Sequence, residues 1–290
     1  MSITISIRKE SAGRKIFLAA NGLFMAMTVL IIAIPLAKVF IDSFDERASE
    51  TVFRLVPEVF TLDAYKVIIT RRALYQPFLI SLLTTTVGTA MSLMITSFFA
   101  YALAQRDLPG RRIFLGMAMI TMVFRAGMIP LFLVVKNLGL MNSLWAVILP
   151  RLVDAYYLLL LRSFFSTIPT SIMDASRIDG CSNTGTFFRI VLPLSKPGLA
   201  AIGLFYLVFY WNQFFEYILY IQTKPALHNF QVFLRSLVIE TETQGFEGFS
   251  FATQSLKNAA VVASIIPVLI VYPFVQKYFV KGINLGAVKG

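Results

Sequence analysis

Charged residues, cysteine and histidine are scarce in this chain. Only 14% of its 290 residues are charged and 57% are hydrophobic, whereas about 25% of the residues of a soluble domain are charged. The single cysteine, Cys181, excludes an intrachain disulfide and a multi-cysteine metal site. The single histidine, His228, argues against a histidine-based metal or catalytic site. We therefore predict that the chain is not an enzyme and binds no cofactor or metal of its own.

Two sequence features of other protein classes are also missing. No Gly-x4-Gly-Lys-Ser/Thr motif occurs, so any ATP hydrolysis must come from a separate chain. No internal repeat is visible, which argues against an ion-coupled secondary transporter built from inverted repeats. The net charge of +11 is distributed between apolar runs, so it indicates membrane topology and no nucleic-acid partner.

Long apolar runs dominate the sequence. A helix of about 20 apolar residues crosses the hydrocarbon core of a membrane. Six runs of this kind occur, at residues 16–41, 77–104, 113–135, 144–165, 198–221 and 258–279. The first is too long for a signal peptide and lacks a small-residue cleavage site. The sequence therefore predicts an all-α integral membrane protein with six transmembrane helices in a domain at 16–279.

The basic residues predict the orientation. Six spans place the N-terminal segment 1–15, the C-terminal tail 280–290 and the loops 105–112 and 166–197 on one face, and Arg162 and Lys277 at the ends of spans are counted with it. That face carries fourteen basic and four acidic residues, whereas the opposite face carries nine of each. Because basic loops stay in the cytoplasm, we predict that both termini and this loop are cytoplasmic.

The loop contains a structured polar stretch, Asp174–Pro197. Gly180 can adopt a left-handed conformation and end a first short helix. Pro193 and Pro197 are placed to end a second helix and redirect the chain into the next span. Two short helices joined by a bend at Asp179–Gly180 would expose apolar residues rimmed by charge, a pattern that indicates a protein partner.

This stretch resembles the EAA loop of ABC importer permeases. The family pattern is Glu-Ala-Ala, two residues, Asp-Gly-Ala, and then Phe and Leu-Pro. The matching positions are Asp174, Ala175, Ser176, Asp179, Gly180, Cys181, Phe187 and Pro193. Asp174 is one methylene shorter than the family's Glu, and Ser176 and Cys181 replace alanines. The resemblance implies that these eight residues couple the chain to an ATPase.

The resemblance extends over nearly the whole chain. The segments QRDLPGRR, FRAGMIPLFLVVKNLGLMNSLWAVILP, YWNQF and VKGINLGAVKG look like the second of two permease subunits in the sugar-importer branch. The nearest subgroup handles complex, often acidic, oligosaccharides such as those of alginate. This implies a type I ABC importer permease fold and a subunit that forms half of a translocation pathway for saccharides. A permease for phosphate or amino acids is the alternative within the importer class.

The resemblance also implies partners and a location. The expected partners are a second permease subunit in a heterodimer, two copies of a cytoplasmic ATPase and an extracytoplasmic solute-binding protein. The expected location is the bacterial cytoplasmic (inner) membrane, where the chain crosses the lipid several times.

Charged residues inside the predicted spans need a physical reason, because each costs about 2.5–3.5 kcal/mol at membrane depth. Arg151 and Asp154 are one helical turn apart, so we predict that they form a structural ion pair. For Arg125 and Glu216, two alternatives stay open: each faces the cavity, or each pairs with the partner subunit. The basic residues Arg125 and Arg151 favour an acidic cargo.

Aromatic and amide side chains suggest a sugar pathway, because sugar rings stack on aromatic faces and amides or carboxylates take the hydroxyls. The candidate pathway residues are Arg125, Tyr156, Tyr157, Tyr206, Tyr210, Trp211, Asn212 and Glu216. The alternative for any one tyrosine or tryptophan is helix packing or anchoring at the membrane interface.

Overall fold

A computed structural model of the chain describes residues 12–49, 52–124, 126–243 and 253–287. Across these ranges the regular structure is helical, as predicted, with one isolated antiparallel bridge between Asp45 and Phe60. The helices are α1 (Ala12–Asp42), α2 (Asp63–Thr70), α3 (Arg72–Ala104), α4 (Arg111–Val123), α5 (Met128–Asn137), α6 (Trp145–Ile148), α7 (Ala155–Phe165), α8 (Thr170–Ile178), α9 (Asn183–Thr186), α10 (Leu192–Leu194), α11 (Lys196–Asn212), α12 (Phe215–Tyr220), α13 (Phe230–Thr243) and α14 (Thr253–Ala287). Residues 1–11 and 288–290 of the predicted terminal segments, and Arg125, lie outside the described residues.

The described helices account for up to five membrane spans by length and composition. Three helical stretches are long and apolar enough by themselves: Gly13–Asp42, Arg72–Ala104 and Gln254–Phe274. Two bent pairs qualify when each is taken as one span, namely α4 with α5, bent by 116°, and Asn183–Leu194 with α11, bent by 84°. The count of six spans, the domain limits and the cytoplasmic termini stay predictions.

The fourth predicted span, 144–165, is interrupted in its middle. A 3-10 turn at Leu149–Arg151 follows α6, and Pro150 has no N–H with which to continue an α-helix. The chain is extended at Asp154, whose carboxylate accepts hydrogen bonds from the N–H groups of Tyr156 (2.9 Å) and Tyr157 (3.4 Å). This N-cap starts α7 as a separate helix of 11 residues.

The chain divides into two compact units, one of residues 1–66 with 246–262 and the other of residues 67–245 with 263–290. In the first unit, the loop after α1 is organised by the buried carboxylate of Asp45. It accepts hydrogen bonds from the N–H groups of Arg47 (3.0 Å), Glu58 (3.0 Å) and Val59 (3.1 Å). Burial opposes ionisation of this carboxyl, but the backbone donors outweigh that effect and lower the pKa of Asp45.

The second unit has a core between α3 and α11. Gly88, Ser92, Thr96 and Ala100 are four residues apart, so they share one face of α3. Small residues at this spacing let membrane helices approach closely. A Cβ atom added at Gly88 would lie 2.8 Å from Cζ of Tyr210, which shows how close the approach is.

Candidate functional site

The bend predicted at Asp179–Gly180 is present. Helix α8 ends there, and Gly180 has a φ of +76°, a left-handed conformation that favours glycine. The N–H of Cys181 donates to the carbonyl of Ser176 (2.9 Å), and the N–H of Gly180 donates to that of Arg177 (3.1 Å). These two hydrogen bonds form a Schellman motif, which satisfies the last carbonyls of α8 and reverses the chain.

The two arms of the bend are held together by side-chain hydroxyls. The hydroxyl of Ser182 accepts a hydrogen bond from the N–H of Gly185 (3.1 Å) and so caps α9. The buried hydroxyls of Ser176 and Thr186 lie 3.0 Å apart and connect α8 to α9. A serine in place of the family's alanine therefore contributes a hydrogen bond inside the loop.

Phe187 attaches the loop to the helix bundle. Only 2% of this residue is exposed. Its ring stacks on Phe98 of α3, with the centroids 4.6 Å apart, and tilts against Tyr101 at 5.2 Å. The next residue, Phe188, is 55% exposed. The ring of Phe187 therefore joins the loop to α3.

The remaining predicted coupling residues lie at or near the surface. Ser176 and Phe187 face inward, whereas Asp174, Ala175, Asp179, Gly180 and Pro193 are exposed and Cys181 is half-buried. Ile178, which the family motif did not single out, is 86% exposed at the end of α8. Contact of these residues with an ATPase stays a prediction.

Arg177 connects α8 to the turn after α3. Its guanidinium lies 4.0 Å from the carboxylate of Asp107 and 3.7 Å from that of Asp174, and it donates to the side-chain oxygen of Gln105 at 3.4 Å. All three partners are surface groups, so each interaction by itself is weak. Together these interactions hold α8 beside the turn that follows α3, at the end of α3 that is predicted to face the cytoplasm.

A second candidate site is a groove of about 570 Å³ along α11 and α12. Its lining residues are Tyr157, Leu204, Phe205, Val208, Phe209, Asn212, Gln213, Phe214, Phe215 and Glu216. A mostly apolar, aromatic wall with a few polar groups is typical of a small-molecule site.

The structure separates the predicted pathway residues into two sets. Tyr157, Asn212 and Glu216 line the groove, and the exposed Tyr156 lies beside Tyr157 with the ring centroids 5.9 Å apart. Arg125 lies outside the described residues. A role in a substrate pathway stays a prediction for each of these residues.

Tyr206, Tyr210 and Trp211 form the second set and are buried inside the subunit, at 1%, 1% and 2% exposure. The hydroxyl of Tyr206 accepts from the N–H of Asp154 (3.1 Å), and that of Tyr210 donates to the carbonyl of Ile148 (3.2 Å). The indole of Trp211 donates to the carbonyl of Ser264 (3.0 Å). The two tyrosines thus satisfy backbone groups at the interruption between α6 and α7, as non-helical backbone at membrane depth requires.

The predicted ion pair between Arg151 and Asp154 is wrong. Because the chain leaves the helical conformation between them, Asp154 turns to cap α7. The guanidinium of Arg151 instead lies 3.8 Å from the carboxylate of Glu216 and 5.4 Å from the centroid of the Phe209 ring. Glu216 lines the groove and is paired with Arg151 of its own chain, and the two alternatives for its role, facing the pathway or pairing with the partner subunit, stay predictions.

The chain is similar in sequence to known proteins. The model of the family described as binding-protein-dependent transport system inner membrane component matches residues 106–285. The chain is 44% identical over 275 residues to the polygalacturonan/rhamnogalacturonan transport system permease protein YtcP of Bacillus subtilis (strain 168), covering 92% of this chain and 96% of that protein. It is 38% identical over 292 residues to Protein LplC of the same organism, covering 98% of each.

A solved structure is also similar to this chain. A chain in the crystal structure of a bacterial ABC transporter involved in the import of the acidic polysaccharide alginate superimposes with a TM-score of 0.87. The sequences are 30% identical, and the alignment covers 94% of this chain and 99% of that chain.

Proposed function

The chain belongs to the family of binding-protein-dependent transport system inner membrane components, and from this premise we propose that its cargo is an acidic oligosaccharide. It is the permease subunit of a sugar ABC importer and forms part of the translocation pathway in the inner membrane. It is a transport subunit and not an enzyme, since ATP hydrolysis belongs to a separate ATPase. A second permease subunit, the ATPase and a solute-binding protein are its partners.

The similarity to YtcP is the observation that carries the proposed cargo class. That relative is named for polygalacturonan and rhamnogalacturonan, and the alginate importer is described as acting on an acidic polysaccharide. Both names describe sugar polymers with carboxylates. A cargo of this kind suits a groove that combines aromatic walls with a nearby arginine, because aromatic faces pack on sugar rings and guanidinium groups bind carboxylates in pairs of hydrogen bonds.

The proposed mechanism couples the loop to the groove by rigid-body movement. ATP binding brings two ATPase subunits together and moves the end of α8 with them. Phe187 passes this movement to α3 through its contact with Phe98. Helix α3 packs along α11, which forms one wall of the groove, so the same movement changes the access to the groove.

A transport assay tests the proposed cargo. The importer is reconstituted in proteoliposomes with its partner permease, ATPase and binding protein, and ATPase stimulation is measured with oligogalacturonates, alginate oligosaccharides and neutral oligosaccharides of equal length. We expect stimulation and uptake with the uronate sugars. Stimulation by neutral sugars alone would refute the acidic cargo while leaving the assignment as a sugar importer intact.

A further inference from the structure

The guanidinium of Arg151 is only partly satisfied within the chain. An arginine has five N–H donors, and within the part of the chain that the structure describes, this one has a single charged partner, Glu216, at 3.8 Å. That separation is longer than a hydrogen bond. Its Nε is buried and has no hydrogen-bond partner among the described residues. A charged donor in this state favours any ligand that can complete its hydrogen bonds.

Arg151 lies directly behind the wall of the groove. It is not itself a lining residue, but its guanidinium contacts two residues that are, Phe209 and Glu216. The side chain of Arg151 is 38% exposed, and that of Glu216 is 21% exposed. Arg151 extends from the 3-10 turn next to the interruption before α7. An acidic ligand that displaces the carboxylate of Glu216 from the groove wall would therefore reach a cation whose one acidic partner among the described residues is held loosely.

We propose that Arg151 binds a carboxylate of the cargo and that Glu216 occupies the guanidinium while the groove is empty. This inference rests on the proposed acidic cargo and assigns the residue that selects it. A uronate carboxylate is the same chemical group as the side chain of Glu216, and it can form two parallel hydrogen bonds where Glu216 forms none within hydrogen-bond distance. A neutral sugar cannot displace Glu216, so the pair discriminates against it.

If Arg151 and Glu216 form a purely structural ion pair, the variants should affect uptake differently. Loss of one partner from a structural pair leaves the other charge uncompensated, which destabilises the protein whatever the cargo is. Uptake of acidic and neutral sugars would then fall by the same factor. The ratio between the two cargoes therefore separates a selecting residue from a structural one.

The experiment uses the complete reconstituted importer and two trisaccharides, trigalacturonate and its carboxyl-reduced neutral counterpart. Initial uptake gives kcat/KM for each cargo, and the ratio of the two values is the preference for trigalacturonate. Direct titration of the complex without binding protein gives the ratio of the two dissociation constants, which does not depend on delivery. The variants are Arg151→Gln, Arg151→Lys and Glu216→Gln. Arg235→Gln is the matched control, because Arg235 lies over another groove residue, Phe214, at 5.1 Å.

We expect Arg151→Gln to lower the preference for trigalacturonate by about tenfold or more, as the loss of a charged hydrogen bond implies. The neutral cargo should be unaffected. Arg151→Lys should restore part of the preference, since lysine keeps the charge but not the paired geometry. Glu216→Gln should raise the preference because it frees the guanidinium, and Arg235→Gln should leave it unchanged.

Three results would overturn the inference. An unchanged preference in Arg151→Gln removes Arg151 as the selecting residue and leaves the acidic cargo intact. Equal losses for both cargoes identify a structural pair. A loss of preference in Arg235→Gln as large as in Arg151→Gln indicates a general effect of positive charge. By contrast, a wild-type importer without preference for trigalacturonate refutes the proposed cargo itself, and the inference with it.

Discussion

Substitution of Gly180 tests the bend directly, because the structure separates the strain of the backbone from the space around it. A residue other than glycine at a φ of +76° costs roughly 1–2 kcal/mol in a left-handed conformation. A Cβ atom at this position would meet nothing within 4 Å. Because Gly180 is also exposed, we expect alanine and tryptophan at this position to cost about the same inside the subunit and to leave the helix bundle folded.

The difference in ATPase docking between the alanine and tryptophan variants then measures the contact with the partner at this position. We expect Gly180→Ala to reduce the population of the bend roughly 5- to 30-fold relative to the unbent loop, and Gly180→Asn to reduce it less, since asparagine tolerates this conformation. Gly180→Trp should in addition exclude the ATPase and weaken its docking by at least about tenfold, or 1.4 kcal/mol. Co-purification of the ATPase and its activity in the assembled complex are the measurements. Equal docking by Gly180→Trp and Gly180→Ala would refute the placement of the partner at the bend.

Three further predictions concern the ring that attaches the loop to α3, the close contact between α3 and α11, and the loop after α1. Phe187→Ala should destabilise the subunit by about 3–5 kcal/mol and uncouple ATP hydrolysis from uptake, whereas the exposed Phe188→Ala should do neither; equal thermal stability of the two variants would contradict this. Gly88→Ala should lower the thermal stability of the complex by about 1–3 kcal/mol through overpacking. Gly203→Ala, whose Cβ would be 3.5 Å from the nearest atom, should not, and equal effects of the two changes would argue against the close contact. The lowered folded-state pKa of Asp45 implies that its ionised form stabilises its unit above the unfolded-state value of about 3.9, and that this contribution is lost as the pH falls through the folded-state pKa. Melting temperatures across an acidic pH series should therefore fall more steeply in the wild type than in Asp45→Asn, and parallel curves would contradict the assignment.

Local rules were sufficient to predict the loop from the sequence. A left-handed position needs Gly180, and this requirement depends only on residues within one turn of it. The turn into α11 is equally local, because Pro193 and Pro197 flank the 84° bend.

The ion pair predicted between Arg151 and Asp154 does not form, because it depends on a helix that is not continuous. The spacing of Arg151 and Asp154 brings them together only if the helix is continuous. Pro150 ends the α-helical hydrogen bonding, and Asp154 starts a new helix as its N-cap. Pro150 and Asp154 are both visible in the sequence as a helix breaker and a helix cap. The apolar character of the run 144–165 nevertheless favours one continuous span.

The groove and the core could not be distinguished by residue type alone, since tyrosines occur in both. Helical spacing was the available signal. Phe205, Phe209 and Asn212 recur at intervals of four and three residues along α11 and line the groove, whereas Glu216 reaches it from α12. Tyr206, one residue from the first of them, falls on the next face and packs against the small residues of α3, where its hydroxyl lies 2.8 Å from that of Thr96. The run of small residues four apart in α3 predicts such a neighbour.

We propose that the bend around Gly180 is the contact with a separate ATPase in the cytoplasm. Cys181 is the only cysteine in the chain, is half-buried and directly follows Gly180, so the wild-type protein already carries the probe. A photoactivatable maleimide is attached to Cys181 in inverted membrane vesicles containing the complete importer, with Cys181→Ser as the control. We predict a covalent adduct between this chain and the ATPase that the control lacks. Labelling of Cys181 only by a membrane-impermeant maleimide applied to the outer face, with no adduct to the ATPase, would contradict the account.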